Sequence, residues 1–268
     1  MPYTISHAAI VLPFARLLAR WRVLSAVVLG AMVPDFGLFF PWRVQRFETH
    51  STLGLFSFCL PVGLVCYWLF QYVIKTPLIE ALPEGPYARW RPFASVANIG
   101  SLKQWVLAAV GVLAGAVTHL VWDAFTHENA RGVRMIPWLE EPVDIGSHRM
   151  GGVRLLQDGS SLIGLVIVGV LVLYALRRGR AAPVPGRLLQ PPQRWGWDLA
   201  YITAAPILSG GWWLLARLGE PVGHSVKAVA TGIAVAALRG LAMSLLVTSV
   251  ALGWRLRALR AARARSAP

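Results

Sequence analysis

Between Leu53 and Ile74 the chain runs for 22 residues without a charge. A helix that crosses a bilayer needs about 20 mostly apolar residues, so this segment reads as a membrane span. Further apolar segments lie at Val23–Phe40, Gln104–Phe125, Ser161–Leu176, Leu199–Leu218 and Ala228–Trp254, and a shorter one leads at Ala8–Ala19. The expected fold is all-α: a polytopic membrane helical bundle of about six apolar segments plus a short N-terminal helix. Trp21, Trp42, Trp105, Trp195, Trp197 and Trp254 flank segment ends, as tryptophans do at membrane interfaces. Three parts are expected: a helical domain over 1–176, a basic Pro/Gly-rich linker over 177–198, and C-terminal membrane helices with a basic tail over 199–268.

Charge supports this reading. Only 14% of residues are charged, with 26 Lys+Arg against 12 Asp+Glu, a formal net charge of +14. In a soluble chain that excess would suggest nucleic acid. Here 17 of the basic residues, from Arg16 through Arg91 and Arg177 to the tail at Arg265, fall on one side of the expected topology. Six (Arg43, Arg46, Arg131, Arg134, Arg149, Arg154) fall on the other. The positive-inside rule puts the richer side and the C-terminus in the cytoplasm. The expected partners are therefore membrane lipids, not nucleic acid. No cleavable signal peptide is expected, since Met1–His7 carries no basic stretch. Cys59 and Cys66 share one helix face seven residues apart, too far for a disulfide.

Ionisable residues beside membrane segments are costly and usually functional. His119, Asp123 and His127 stand at i, i+4 and i+8. Each four-residue step nets about 40° of rotation, so all three share one helix face over about 12 Å. Two imidazoles and a carboxylate suit a zinc-type ion; the alternative is a polar stripe facing a buried network. Asp35 follows Pro34 in an otherwise uncharged run, and Glu48 and His50 lie between the first two segments. Ser6 is expected to cap a helix starting at His7. If the chain reverses at Arg20–Arg22, His7 and Asp35 meet at the open end of a hairpin, on the non-cytoplasmic side. Topology brings His50 and His119–His127 to that same end. The candidate metal ligands are thus His7, Asp35, His50, His119, Asp123 and His127. Asp35 and Glu48 are candidate bases. His148 and Gln157 are candidate pocket residues, with Asp144, Asp158, Ser160 and Ser161 nearby in sequence. His224 is read as incidental, and Arg239 as snorkelling or facing a polar interior. No Gly-rich phosphate loop or serine nucleophile elbow is found, and no other cofactor site is expected.

Pro2–His7 (PYTISH), Val33-Pro34-Asp35, Thr49-His50-Ser51 and Thr118-His119…Asp123…Thr126-His127 resemble a bacterial membrane family, domain of unknown function 4184. That family is similar to the YdjM-like membrane-bound metal-dependent hydrolases. More distantly, the order of these residues resembles the zinc-dependent phospholipase C and P1 nuclease group. The resemblance implies that Asp35, His50, His119 and Asp123 hold one zinc, and that Asp123 bridges to a second held by His7. His127 would correspond to a ligand of a third ion. Gly152 stands where that group has the glutamate completing that ion, so one or two ions are implied. The implied function is a zinc-type hydrolase of the bacterial cytoplasmic membrane, acting on a phosphoester or lipid-linked substrate. The alternative is a non-enzymatic membrane protein that binds or transports metal. The segments at Leu53, Ser161 and Leu199 contain no acid or histidine to continue a transport path.

Overall fold

A computed structural model describes residues 4–40, 44–94, 100–146, 148–177, 187–217 and 226–266. These are predominantly helical, in two compact units: residues 3–67 with 99–173, and residues 68–98 with 174–268. The described residues 68–94 group with those from 174 onward, so the two units are not consecutive in sequence.

In the first unit the chain opens with a 3-10 helix, Thr4–Ile10, then a second at Leu12–Phe14 around Pro13, and then α1 (Ala15–Arg20). Ser6 lies inside the first 3-10 helix rather than capping a helix that starts at His7. Arg22 takes a left-handed φ of 57°, and the chain turns into α2 (Leu24–Gly30). A 3-10 helix, Val33–Phe39, follows with Pro34 in its first turn. Proline lacks the N–H that would continue the preceding helix. This break is why Val23–Phe40 forms no span. The short α3 (Arg46–Thr49) is held by a capping box between Gln45 and Glu48. Ser51 then caps the long α4 (Thr52–Ala81), its Oγ accepting from Gly54 N at 3.0 Å.

α5 (Leu102–Thr126) carries the organising stripe of this unit. Ala108, Gly111, Val112, Gly115, Ala116, His119, Asp123 and Thr126 are its buried residues. They recur every three or four positions, so they form one face. That face is small and apolar for most of its length and polar at its C-terminal end. Its opposite face exposes Val106, Val110, Val117 and Val121, as a lipid-facing surface would. The small residues let α2 approach closely: a Cβ on Gly115 would lie 2.2 Å from the Val27 carbonyl oxygen.

A two-stranded antiparallel hairpin, β1 (Pro142–Ile145) and β2 (His148–Gly151), follows, with Val143 opposite Met150. This departs from an all-helical reading over a few residues only. α6 (Gly152–Arg177) leaves the hairpin and exposes Leu162, Ile163, Val166 and Val170.

In the second unit α7 (Pro191–Arg217) and α8 (Val226–Arg265) pack together. Ala81, Leu189, Leu252 and Leu256 form a buried cluster there. Among the described residues, four helices are long and apolar enough to cross a membrane: Thr52–Ala81, Leu102–Thr126, Gly152–Tyr174 and Val235–Arg265. Six spans were expected. Val23–Phe40 is lost to the Pro34 break, and α7 is not among the four.

Candidate metal centre

The polar end of the α5 stripe meets three other stretches of the first unit. His119 is fully buried and Asp123 nearly so. Asp35 arrives from the 3-10 helix after α2, His50 from the end of α3, and His7 from the first 3-10 helix. Asp35 Oδ1 lies 3.4 Å from His50 Nε2 and 3.7 Å from His119 Nε2. Asp123 Oδ2 lies 3.4 Å from His50 Nε2 and 3.5 Å from His119 Nε2. These four contacts join four ligand-type atoms at nearly equal separations. Ligands bonded at about 2.0–2.1 Å to one tetrahedral ion stand about 3.3–3.4 Å apart. The spacing thus fits a shared ion better than direct hydrogen bonds, which prefer about 2.9 Å.

The partners of the ring nitrogens sharpen that fit. His119 Nδ1 lies 2.8 Å from the Ala31 carbonyl oxygen, and a carbonyl can only accept, so Nδ1 carries the proton. The Thr49 hydroxyl donates to the Arg46 carbonyl at 3.2 Å, leaving its oxygen to accept from His50 Nδ1 at 2.7 Å. In their neutral form both imidazoles then present an unprotonated Nε2 to the centre, the arrangement that orients metal-ligating histidines. Both Nε2 atoms are buried without a hydrogen-bond partner. Leaving a buried polar atom unsatisfied costs about 1–3 kcal/mol, a cost that an ion at this point removes. The other oxygen of Asp35 accepts from Thr4 Oγ1 at 2.8 Å. The donor set of imidazoles and carboxylates fits zinc or a similar divalent ion.

Asp123 turns its second oxygen the other way. Oδ1 lies 3.8 Å from His7 Nε2 and 3.4 Å from His127 Nδ1. His7, His119 and Asp123 form a second group with ligand-type atoms close together, beside the group of Asp35, His50 and His119. The His7 ring stacks on His119, with centroids 3.8 Å apart. His127 is occupied differently. Its Nδ1 lies 3.2 Å from the Asp123 backbone carbonyl, and its Nε2 lies 3.3 Å from the Gln157 amide nitrogen. Both of its nitrogens are already in protein hydrogen bonds.

Charge follows burial and neighbours. Burial and the adjacent His119 push His7 down to about 4. Burial pushes the Asp35 carboxyl up, but His50, His119 and Thr4 outweigh it and hold it at about 2. Burial also acts against a charged His50, yet the carboxylates of Asp123 and Asp35 overcome it and raise its pKa. His127 is lowered, chiefly by burial.

All six residues expected to gather therefore lie in one network. Gln157 reaches it through His127. Glu48 is engaged elsewhere: it is exposed, and its carboxylate accepts from Gln45 N at 2.7 Å. Asp158 pairs with Arg154 on the surface of α6, and Ser160 Oγ donates to the Gln157 carbonyl. Asp144 pairs with Arg149 across the hairpin. His148 lies on β2, with its side chain outside the described residues, as is the whole of His224. Sequence reasoning missed Thr4 and Arg46 as members of the centre. Arg46 Nη2 donates to Asp123 Oδ2.

A helical protein with membrane-length apolar helices and a buried His/Asp cluster is the class defined here. The chain belongs to the family described as Domain of unknown function (DUF4184), which matches residues 1–250. No curated protein and no solved structure matches it.

Proposed function

We propose that this chain is a membrane-bound, metal-dependent hydrolase that holds one or two divalent ions, zinc first among them, and acts on a phosphoester or lipid-linked substrate at the membrane interface. The observation that carries this reading is the set of four atoms on Asp35, His50, His119 and Asp123 separated by 3.4–3.7 Å, with two buried, unpartnered Nε2 atoms among them. A bound divalent ion supplies Lewis acidity and lowers the pKa of water toward about 7. The chain's own residues do the rest. Ala31 and Thr49 fix the two imidazoles, and Thr4 fixes Asp35. Asp35 at about 2 suits an ion ligand better than a proton acceptor. Asp123, with one oxygen toward His50 and His119 and the other toward His7, is the residue able to bridge two ions.

A cytoplasmic C-terminus in a bacterial cytoplasmic membrane is part of this proposal; it rests on the basic tail from Arg255 to Arg265 and requires α7 to cross the membrane together with α8. Elemental analysis of the detergent-purified chain beside Asp123→Ala tests the metal. About one or two ions per wild-type chain, lost in the variant, is the expected result; no bound metal sinks the reading. Turnover of phosphodiester or short-chain phospholipid substrates by the metal-loaded chain tests the hydrolase. Metal without turnover on such a panel would leave a metal-binding or transport protein instead.

A further inference from the structure

Arg46 is the one strong cation that reaches this centre among the described residues, and it does so from the surface. Its side chain is 45% exposed, whereas Asp123, which it contacts, is 8% exposed. Its Nη2 donates to Asp123 Oδ2, the same oxygen that faces His50 and His119. The α3 backbone holds it in place: the Arg46 carbonyl accepts from His50 N at 2.8 Å and from the Thr49 hydroxyl. The guanidinium and the imidazole of His50 are thus carried by the same short helix.

This placement has an electrostatic consequence. The carboxylates of Asp35 and Asp123 balance one divalent ion, and the histidines add no negative charge. An arginine beside that ion leaves the site with a surplus positive charge. Two cations a few ångströms apart repel strongly in a partly buried site. An anion lying between the guanidinium and the ion turns that repulsion into two attractions. The guanidinium fork offers five N–H donors and matches phosphate oxygens in bidentate fashion. Phe47, next to it in sequence, is 73% exposed.

We infer that Arg46 is the substrate-reading residue of this centre, gripping a phosphoryl anion between its guanidinium and the metal. This rests on the metal reading above and narrows its substrate to an anionic phosphate ester. When the anion is bound, the guanidinium leaves Asp123 Oδ2 to the ion and turns its donors to the phosphoryl oxygens.

The test uses the full-length, metal-loaded chain in detergent. Elemental analysis comes first, then calorimetric titration with inorganic phosphate, on wild type, Arg46→Gln and Arg46→Lys. Expected is unchanged metal content in all three, with phosphate affinity at least about tenfold weaker in Arg46→Gln and intermediate in Arg46→Lys, which keeps the charge but not the fork. Metal-loaded wild type that binds no phosphate overturns the inference and leaves the metal reading intact. So does equal phosphate affinity in wild type and Arg46→Gln. Loss of metal in both variants overturns it too, since Arg46 would then be organising the ligands. A wild type without metal fails at the first measurement, before phosphate is added, and takes the hydrolase reading down with it. Competition by glycerol 3-phosphate against dihexanoyl phosphatidic acid separates the sources of the phosphoryl group. Tighter binding of the acylated compound identifies a membrane lipid, and equal binding a water-soluble ester; either result supports the phosphoryl grip.

Discussion

His119 donates from Nδ1 to the main-chain carbonyl of Ala31, 88 residues earlier, at 2.8 Å. One bond thereby sets the tautomer of this fully buried histidine and ties it to the end of α2. The approach of α2 that makes this bond depends on Gly115, one helical turn before His119. A Cβ there would lie 2.2 Å from Val27 O and 2.6 Å from Ala31 N, both backbone atoms that cannot swing aside.

Gly115→Ala is therefore expected to destabilise the chain by about 1–3 kcal/mol, as overpacking typically does, and to lower metal content by pulling Ala31 off His119. Thermal unfolding in detergent with elemental analysis reads both effects. Gly159→Ala is the control: nothing lies within 4 Å of its added Cβ, so neither quantity should drop. Equal behaviour of the two variants would show that the α2–α5 approach does not govern the centre.

Thr4 supports Asp35 without facing the candidate ion, since it donates to Oδ2 while Oδ1 faces the histidines. Loss of such a supporting hydrogen bond commonly weakens metal binding about 10–100-fold. Thr4→Val should show a loss of that order in a chelator competition, and Thr4→Ser should recover most of it. An unchanged Thr4→Val affinity would remove Thr4 from the centre.

The ligand candidates are not equivalent. His119→Ala and Asp123→Ala are expected to abolish binding of the first ion. His127→Ala should retain it, because the Asp123 carbonyl and Gln157 already engage both of its ring nitrogens. Glu48→Ala should keep full metal content and lose only a helix-capping contribution of about 0.5–1 kcal/mol. Metal per chain, measured across the four variants, checks the order. His127→Ala as empty as His119→Ala would contradict it.

Acid should loosen the metal-stripped protein in a defined window. His7 is lowered from 6.5 to about 4, so the fold prefers it neutral. Stability is then full above about pH 6.5 and falls as pH drops toward 4. His127, also lowered, acts in the same direction. His50 is raised and contributes with the opposite sign, its stabilisation fading as pH rises above 6.5. Asp35 adds a further loss between about 3.8 and 2. Thermal midpoints of chelator-treated protein from pH 7 to 4 should decline, and His7→Gln should flatten that decline. A parallel decline in the variant would exclude His7 as a cause.

Much of the centre was legible because its spacing is helical. His119, Asp123 and His127 announce one face of α5, and Pro34 marks the 3-10 helix that replaces the α-helix before Asp35. His7 came within reach once a reversal near Arg20–Arg22 was assumed, and Arg22 does adopt the left-handed φ such a turn uses. What stayed hidden has no side-chain pattern. The Ala31 carbonyl is backbone, and Gly115 reads as one more small residue in an apolar helix. Arg46 looked like an ordinary loop cation until α3 placed it against Asp123. The short hairpin was also missed, although Gly146, with φ 59°, follows an alternating run at Val143–Ile145 and is a turn signal. Of the six expected spans, four helices of membrane length are found among the described residues, and Val23–Phe40 departs from the expectation because hydropathy alone ignores the break before and at Pro34.

Asp123 lies in contact with His50 and His119 through Oδ2 and with His7 and His127 through Oδ1. A carboxylate is a rigid plane, so the two sides cannot be tuned separately. Whatever fixes the rotation of that plane on one side sets the aim of the other. Substitutions around His7 should therefore be felt at His50, although the two residues lie on opposite sides of that plane.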